Sequence, residues 1–187
     1  MPTARSQSII LFYHLPDERK STPMRDWEVY AGAALLGTVA GMRSMAAPAI
    51  LGRLSSKGAL DGITGPLAFV GKPLFSPAMS FLTVGEMIVD KLPIAPNRTE
   101  VGPLLGRALT GALSGAVVCA AKKRPAWAGA LIGAAAAVGA TYGAYQLRKR
   151  AGSKLHLPDM LIALTEDAVV GSLGVAITSR LSAPSLE

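Results

Sequence analysis

Two carboxylates, Glu86 and Asp90, stand four residues apart in the apolar stretch 80–93, SFLTVGEMIVDKLP. On a helix that spacing puts both acids on one face, one turn apart. Their neighbours Phe81, Leu82, Val84, Ile88, Val89 and Leu92 suit hydrocarbon or a tight core. The stretch 161–173, LIALTEDAVVGSL, repeats the idea with Glu166 and Asp167. A third stretch, 30–51, holds Arg43 in an otherwise uncharged run. Ionisable groups in such surroundings are costly, and they pair with one another or line a path. Arg43, Glu86, Asp90, Glu166 and Asp167 are therefore the candidate substrate or ion pathway, a polar site for a proton, a cation or a small solute. Carboxylates crowded together in low dielectric can trade protons. The competing reading is a structural lock, with Arg43 paired to Glu86 or to an acid of the last helix. Glu166 and Asp167 point about 100° apart on a helix, so one of them is expected to face the interior. Asp90 also has a plainer reading, in which Asp90-Lys91-Leu92-Pro93 marks a membrane boundary and Lys91 snorkels.

The composition narrows the class. The chain has 187 residues, enough for one domain, and half of them are hydrophobic. Charged residues make up 17%, against about a quarter in a typical soluble domain. The net charge of +7 is gathered in short clusters between apolar runs, Lys122-Lys123-Arg124 and Arg148-Lys149-Arg150 with Lys154. That pattern fits loops at a membrane surface better than a nucleic-acid-binding stripe. The one cysteine, Cys119, leaves no internal disulfide and no cysteine-built metal site. His14 and His156 are far apart in the sequence and outside the long apolar runs. No dinucleotide or phosphate loop and no zinc-protease motif is present, so neither a cofactor nor an enzyme is expected. A membrane enzyme using Glu86 and Asp90 as an acid/base pair on a lipid would lack any nucleophile or metal motif. The expected partners are the lipid bilayer, further copies of the chain in a homo-oligomer, and a cation or small solute; nucleic acid is not among them.

The elements that must position these charges follow from the apolar runs. Residues 1–26 read as a polar N-terminal tail, 27–181 as a membrane helical domain and 182–187 as a C-terminal tail. The run 27–51 opens with Trp27 and Tyr30, as interfacial aromatics do, and its roughly 25 residues can cross about 30 Å of hydrocarbon. Residues 52–74 read as a long loop with a re-entrant or surface-lying piece. Ser76-Pro77 suits a helix start and Pro93 a stop, leaving about 16 residues or about 24 Å. Six strongly apolar residues there favour insertion by about 2–4 kcal/mol, while two central acids oppose it by about 5–7 kcal/mol. That helix must therefore pack inside a bundle. The run 104–121 carries Gly111 and Gly115 as a small-xxx-small pair for helix packing. After a basic turn comes 126–147, rich in Ala and Gly, then a basic connection 148–154 and a last run ending near Arg180. The fold class is all-α, a polytopic membrane helical bundle of about five transmembrane or half-spanning helices. Placing loops on alternate sides gives 11 basic residues against 7, with the N-terminus on the richer side. That side is cytoplasmic by the positive-inside rule, which makes this a multi-pass membrane protein with a cytoplasmic N-terminus.

Two internal matches point to a duplication. Tyr30-Ala31-Gly32-Ala33 resembles Trp127-Ala128-Gly129-Ala130, and the run from Pro77 aligns with that from Pro158, setting Met79 on Met160 and Glu86 on Asp167. With one helix between the pairs, the copies would form an inverted repeat, with a site where they meet.

The segments GMRSMAAPAI (41–50) and GEMIVDKLP (85–93) together resemble a family of small bacterial integral membrane proteins, a domain of unknown function with an early G-x-R…P and a later E-x-x-x-D-K-x-P segment. The resemblance covers roughly 28–180. It implies a polytopic inner-membrane protein and carries no established activity or catalytic residues.

Overall fold

A computed structural model of the chain describes residues 25–89, 101–155 and 159–182. Asp90, most of the N-terminal tail and the end of the C-terminal tail lie outside the described residues. Within them are α1 (Asp26–Met42), α2 (Ala46–Ser56), a 3₁₀ helix (Gly65–Gly71), α3 (Phe75–Val89), α4 (Val101–Ala121), α5 (Ala126–Leu155) and α6 (Asp159–Ser182), and no strand.

The start of α1 is fixed by local chemistry. The Glu28 carboxylate accepts the Arg25 backbone N–H at 2.9 Å, and the Arg25 guanidinium lies 5.1 Å from the centre of the Trp27 ring. Asp26 forms an ion pair with Arg124, just beyond the end of α4. Asp26 and Glu28 in the first turn also complement the helix dipole. The helix is apolar all round, with Val29, Ala33, Leu36, Val39 and Ala40 buried, as befits the central element of a bundle.

The run 27–51 does not form the single continuous span that its length allows. Helix breaks at Arg43-Ser44-Met45, and α2 turns back toward the side from which α1 entered. Three contacts fix that direction. Gly174 of α6 meets Ile50, whereas Asp167, nearer the start of α6, meets Arg43. Leu181, nearer its end, meets Gly32. Beyond α2, the Ala59 carbonyl accepts a hydrogen bond from Lys122 Nζ at 3.3 Å, two residues from the partner of Asp26. So α1 and α2 form a helical hairpin whose tip is 43–45. The 3₁₀ helix and α3 follow, with a 73° bend between them, and this pair reads as a broken span or a re-entrant loop. Ser76 lies on Gly52 and Glu86 on Ser44, so α3 climbs back toward the tip.

Close backbone packing holds the hairpin against α4 and α5. A Cβ on Gly111 would lie 2.6 Å from the Gly133 carbonyl oxygen and 2.7 Å from the Ala137 Cβ. On Gly115 it would strike the Gly129 carbonyl. On Gly37 it would lie 2.9 Å from both the Ala136 Cβ and the Gly133 Cα. Gly133 is thus the meeting point of three helices, and the small residues let dispersion and Cα–H contacts act at short range. Pairing Gly111 with Gly133 and Gly115 with Gly129 makes α4 and α5 antiparallel. Pairing Gly37 with Gly133 and Gly41 with Ala137 makes α1 and α5 parallel. Since α3 and α6 run in opposite directions, the α1/α5 pair does not have the orientation an inverted repeat requires.

Three helical segments are long and apolar enough to cross a membrane: Val101–Ala121, Ala126–Ala151 and Leu161–Ser182. Phe81, Leu109, Leu131 and Val175 are each more than 60% exposed. Side chains of this size facing outward from several helices suit contact with hydrocarbon. This is consistent with an integral membrane protein.

Two local expectations change. Residues 148–154 are not a loop, because α5 continues through Arg148-Lys149-Arg150 to Leu155. The count of basic residues on alternate sides takes Arg107 as a loop charge, whereas it lies in α4 and is 4% exposed. The hairpin also puts Lys57 and Lys72 on the same side as Arg25, Lys122, Lys123 and Arg124, so loops do not simply alternate.

Gly133→Ala is expected to destabilise the bundle by about 1–3 kcal/mol through overpacking. Gly139→Ala, on the same helix but with open space at its Cβ position, is expected to be neutral or stabilising by up to about 1 kcal/mol. Unfolding titrations in mixed detergent micelles compare the two, and equal midpoints would contradict the close crossing.

Candidate functional site

A helix break in apolar surroundings exposes backbone groups that water cannot reach. The last carbonyls of α1 and the first N–H groups of α2 therefore need partners from the protein. Each end finds them. At the end of α1, the Arg43 N–H donates to the Val39 carbonyl at 2.8 Å, with Arg43 extended at φ −142° and ψ 108°. The buried Thr141 hydroxyl of α5 is placed between two acceptors, the Gly41 carbonyl at 3.0 Å and its own Ala137 carbonyl at 2.8 Å. At the start of α2, Glu86 of α3 takes three hydrogen bonds. Its Oε1 accepts the Ser44 N–H and the Ser44 hydroxyl, each at 2.9 Å, and its Oε2 accepts the Met45 N–H at 3.0 Å.

The charges follow the same logic. The C-terminal end of α1 carries partial negative charge, and the Arg43 guanidinium sits there. The N-terminal end of α2 carries partial positive charge, and the Glu86 carboxylate sits there. Arg43 is 2% exposed. Its Nε donates to Asp167 Oδ1 of α6 at 2.8 Å, and its Nη2 forms an ion pair with the same oxygen. The other Asp167 oxygen, Oδ2, is buried and has no hydrogen-bond partner among the described residues.

Of the sequence-predicted site residues, Arg43, Glu86 and Asp167 meet at the hairpin tip. Arg43 contacts Asp167, an acid of the last helix, while Glu86 holds the adjacent backbone. Glu166 is placed elsewhere: it pairs with Arg148 Nη2 of α5 at 3.1 Å and is itself 8% exposed. The expectation that one acid of the Glu166-Asp167 pair faces the interior is thus incomplete. Both are largely buried, against different helices. Asp90 lies outside the described residues. Gly111 and Gly115 sit below the tip, at the α4/α5 crossing.

Sequence reasoning missed two participants and one buried charge at the same level. Ser44 and Thr141 are uncharged, and nothing in their spacing marks them. Arg107 does carry a signal, as the one charged residue in 101–121, and it is buried in α4. Gly111 is level with Gly133, so Arg107, one turn earlier on α4, is level with Ala137 and Gly41, near the tip. By helix rise that level lies about 9 Å from the Val101 end of α4 and about 21 Å from its Ala121 end. The tip therefore lies about 9 Å inside one end of the apolar helix Val101–Ala121. Among the described residues no group of three His, Cys, Asp or Glu side chains could hold a metal ion. Comparison with protein-family models, with curated proteins and with solved structures finds no match for this chain.

Removing one partner of a buried ion pair is expected to cost about 3–5 kcal/mol, and replacing both by apolar residues much less. Arg43→Met and Asp167→Leu are therefore each expected to be strongly destabilising, and the double variant less so than the sum. A double-mutant cycle on detergent unfolding checks this, and additive losses would contradict the pairing.

Proposed function

We propose that this chain is a small transporter or channel-like membrane protein whose polar site is the hairpin tip, with a proton or small cation as the transported species. The observation that carries the reading is Asp167: a carboxylate deep in the bundle, with one oxygen on Arg43 and the other buried and open to a further partner. Oδ2 is where a proton or small cation would bind. Helix ends meeting inside the membrane are a common way of building such sites, because their partial charges need no side-chain desolvation. In this reading the Arg43–Asp167 pair is the resting contact. Loading of Oδ2 weakens the hold on Arg43, and Glu86 keeps α2 anchored while Arg43 moves. Basic residues favour a cytoplasmic N-terminus: Arg25, Arg53, Lys57, Lys72, Lys122, Lys123, Arg124 and Arg180 share its side, against Arg148, Lys149, Arg150 and Lys154 on the other.

A second reading, a membrane scaffold or assembly factor in which these charges are locks, has its own support. Glu86 has both oxygens filled, and the two half-helix ends are capped by the protein itself. Solvent access separates the two readings. In a Cys119→Ser background, Ser44→Cys is expected to react with a water-soluble maleimide if the tip opens to water, and to stay inert if it is a lock.

Proton and cation flux into proteoliposomes is expected to be lost in Asp167→Asn with normal membrane insertion. Wild-type flux in that variant would reject the pathway. Absence of flux in both proteins, across several ions, would favour the lock.

A further inference from the structure

A lateral groove of about 540 Å³ runs between α3 and α6, floored by α2. Its chemistry changes along its length. Near the tip it is walled by Ala46, Val84 and Val170, and toward the N-terminal side it meets hydroxyls and then Arg53 and Lys57. Neither cation forms an ion pair among the described residues, and the nearby Asp61 pairs with neither. From Lys57 back to Ala46 is about 16 Å of helix, close to the ~15 Å hydrocarbon depth of one leaflet. The volume lies within the range of ligand-holding pockets.

We infer that this groove binds an anionic phospholipid from the leaflet on the N-terminal side, with its phosphate between Arg53 and Lys57 and one acyl chain along α2 toward the tip. The inference rests on the membrane reading but not on transport. Charge selects the occupant. Two cations at surface depth above an apolar channel match a negatively charged head with a chain below it, since each is attracted to an anionic surface. Hydroxyls of Ser56, Ser80 and Ser179 near the basic end each donate to a carbonyl of their own helix, so they make that end of the groove polar while the two cations are left to hold the phosphate. A zwitterionic lipid would set its own ammonium beside the same two cations, which disfavours it. The inner end of the groove adjoins the tip: Ala46 follows Met45, whose N–H is held by Glu86, and Val170 lies one turn beyond Asp167. A chain lying there packs against the first turns of α2, beside the tip.

Native mass spectrometry of the full chain released from equimolar phosphatidylglycerol and phosphatidylcholine vesicles tests this. The wild type is expected to retain phosphatidylglycerol over phosphatidylcholine by about tenfold or more. Arg53→Gln with Lys57→Gln is expected to abolish that preference. Val175→Trp, at an exposed position on the groove wall, is expected to reduce retention of both lipids with helix content unchanged. Equal retention of the two lipids by the wild type, or an unchanged preference in the double variant, would overturn the site. Flotation with the vesicles checks the membrane reading separately. A chain that floats without a preference overturns the lipid site alone, and one that does not float overturns both.

Discussion

A helix that stops inside an apolar bundle must satisfy the backbone groups it releases, and the structure around 43–45 is organised by that requirement. Free N–H and carbonyl groups away from water each cost on the order of a broken hydrogen bond. The break is held from three neighbouring helices, by Thr141 from α5, Glu86 from α3 and Asp167 from α6. Arg43 is both the end of α1 and the partner of Asp167. The two helix dipoles set the sign of the charge at each end, so exchanging Arg43 and Glu86 would oppose both. The acid of α3 and the acid of α6 are thus not interchangeable, although they occupy matching places in the sequence alignment.

The glycine crossings make this geometry reachable. Without close approach at Gly37, Gly111 and Gly133, α1 would stand further from α5, and Thr141 would not reach the Gly41 carbonyl. Packing of small residues in one layer thereby fixes a hydrogen bond in the next. The same closeness explains why the hairpin is buried with few large side chains. Leu36, Leu51 and Leu54 are buried in one apolar cluster with Val117 and Val118 of α4, while Gly37 and Gly41 face α5.

Much of the site was legible because charge in an apolar run is a strong signal. Arg43, Glu86 and Asp167 stand out in the sequence by cost alone, and the structure brings these three together. The choice of Asp167 rather than Glu86 for Arg43 was not legible, since both acids can be placed near an arginine by helix spacing. The hairpin was hidden for a different reason. Residues 27–51 are long and apolar enough to span, and helix periodicity cannot distinguish a crossing from a turn back. The local signs of a break, Gly41, Ser44 and Pro48 around Arg43, are each tolerated in a membrane helix when neighbours supply partners. Those partners come from Glu86 and Thr141, distant in sequence. A hairpin in place of a crossing also puts Lys57 and Lys72 on the side of Arg25, which a count of loops on alternate sides cannot show. The all-helical class and the apolar helices from Val101 onward were legible because they rest on composition and length, which tertiary contacts do not alter.

The most direct test is the sidedness of the first hairpin. Trp27→Cys, Lys57→Cys and Arg150→Cys, each in a Cys119→Ser background, would be treated with a membrane-impermeant thiol reagent in sealed, uniformly oriented vesicles. A hairpin that turns back at 43–45 labels positions 27 and 57 from one side and position 150 from the other. Labelling of 27 and 57 from opposite sides would mean that 27–51 crosses the membrane, and would contradict the buried tip and the Arg43–Asp167 contact built on it.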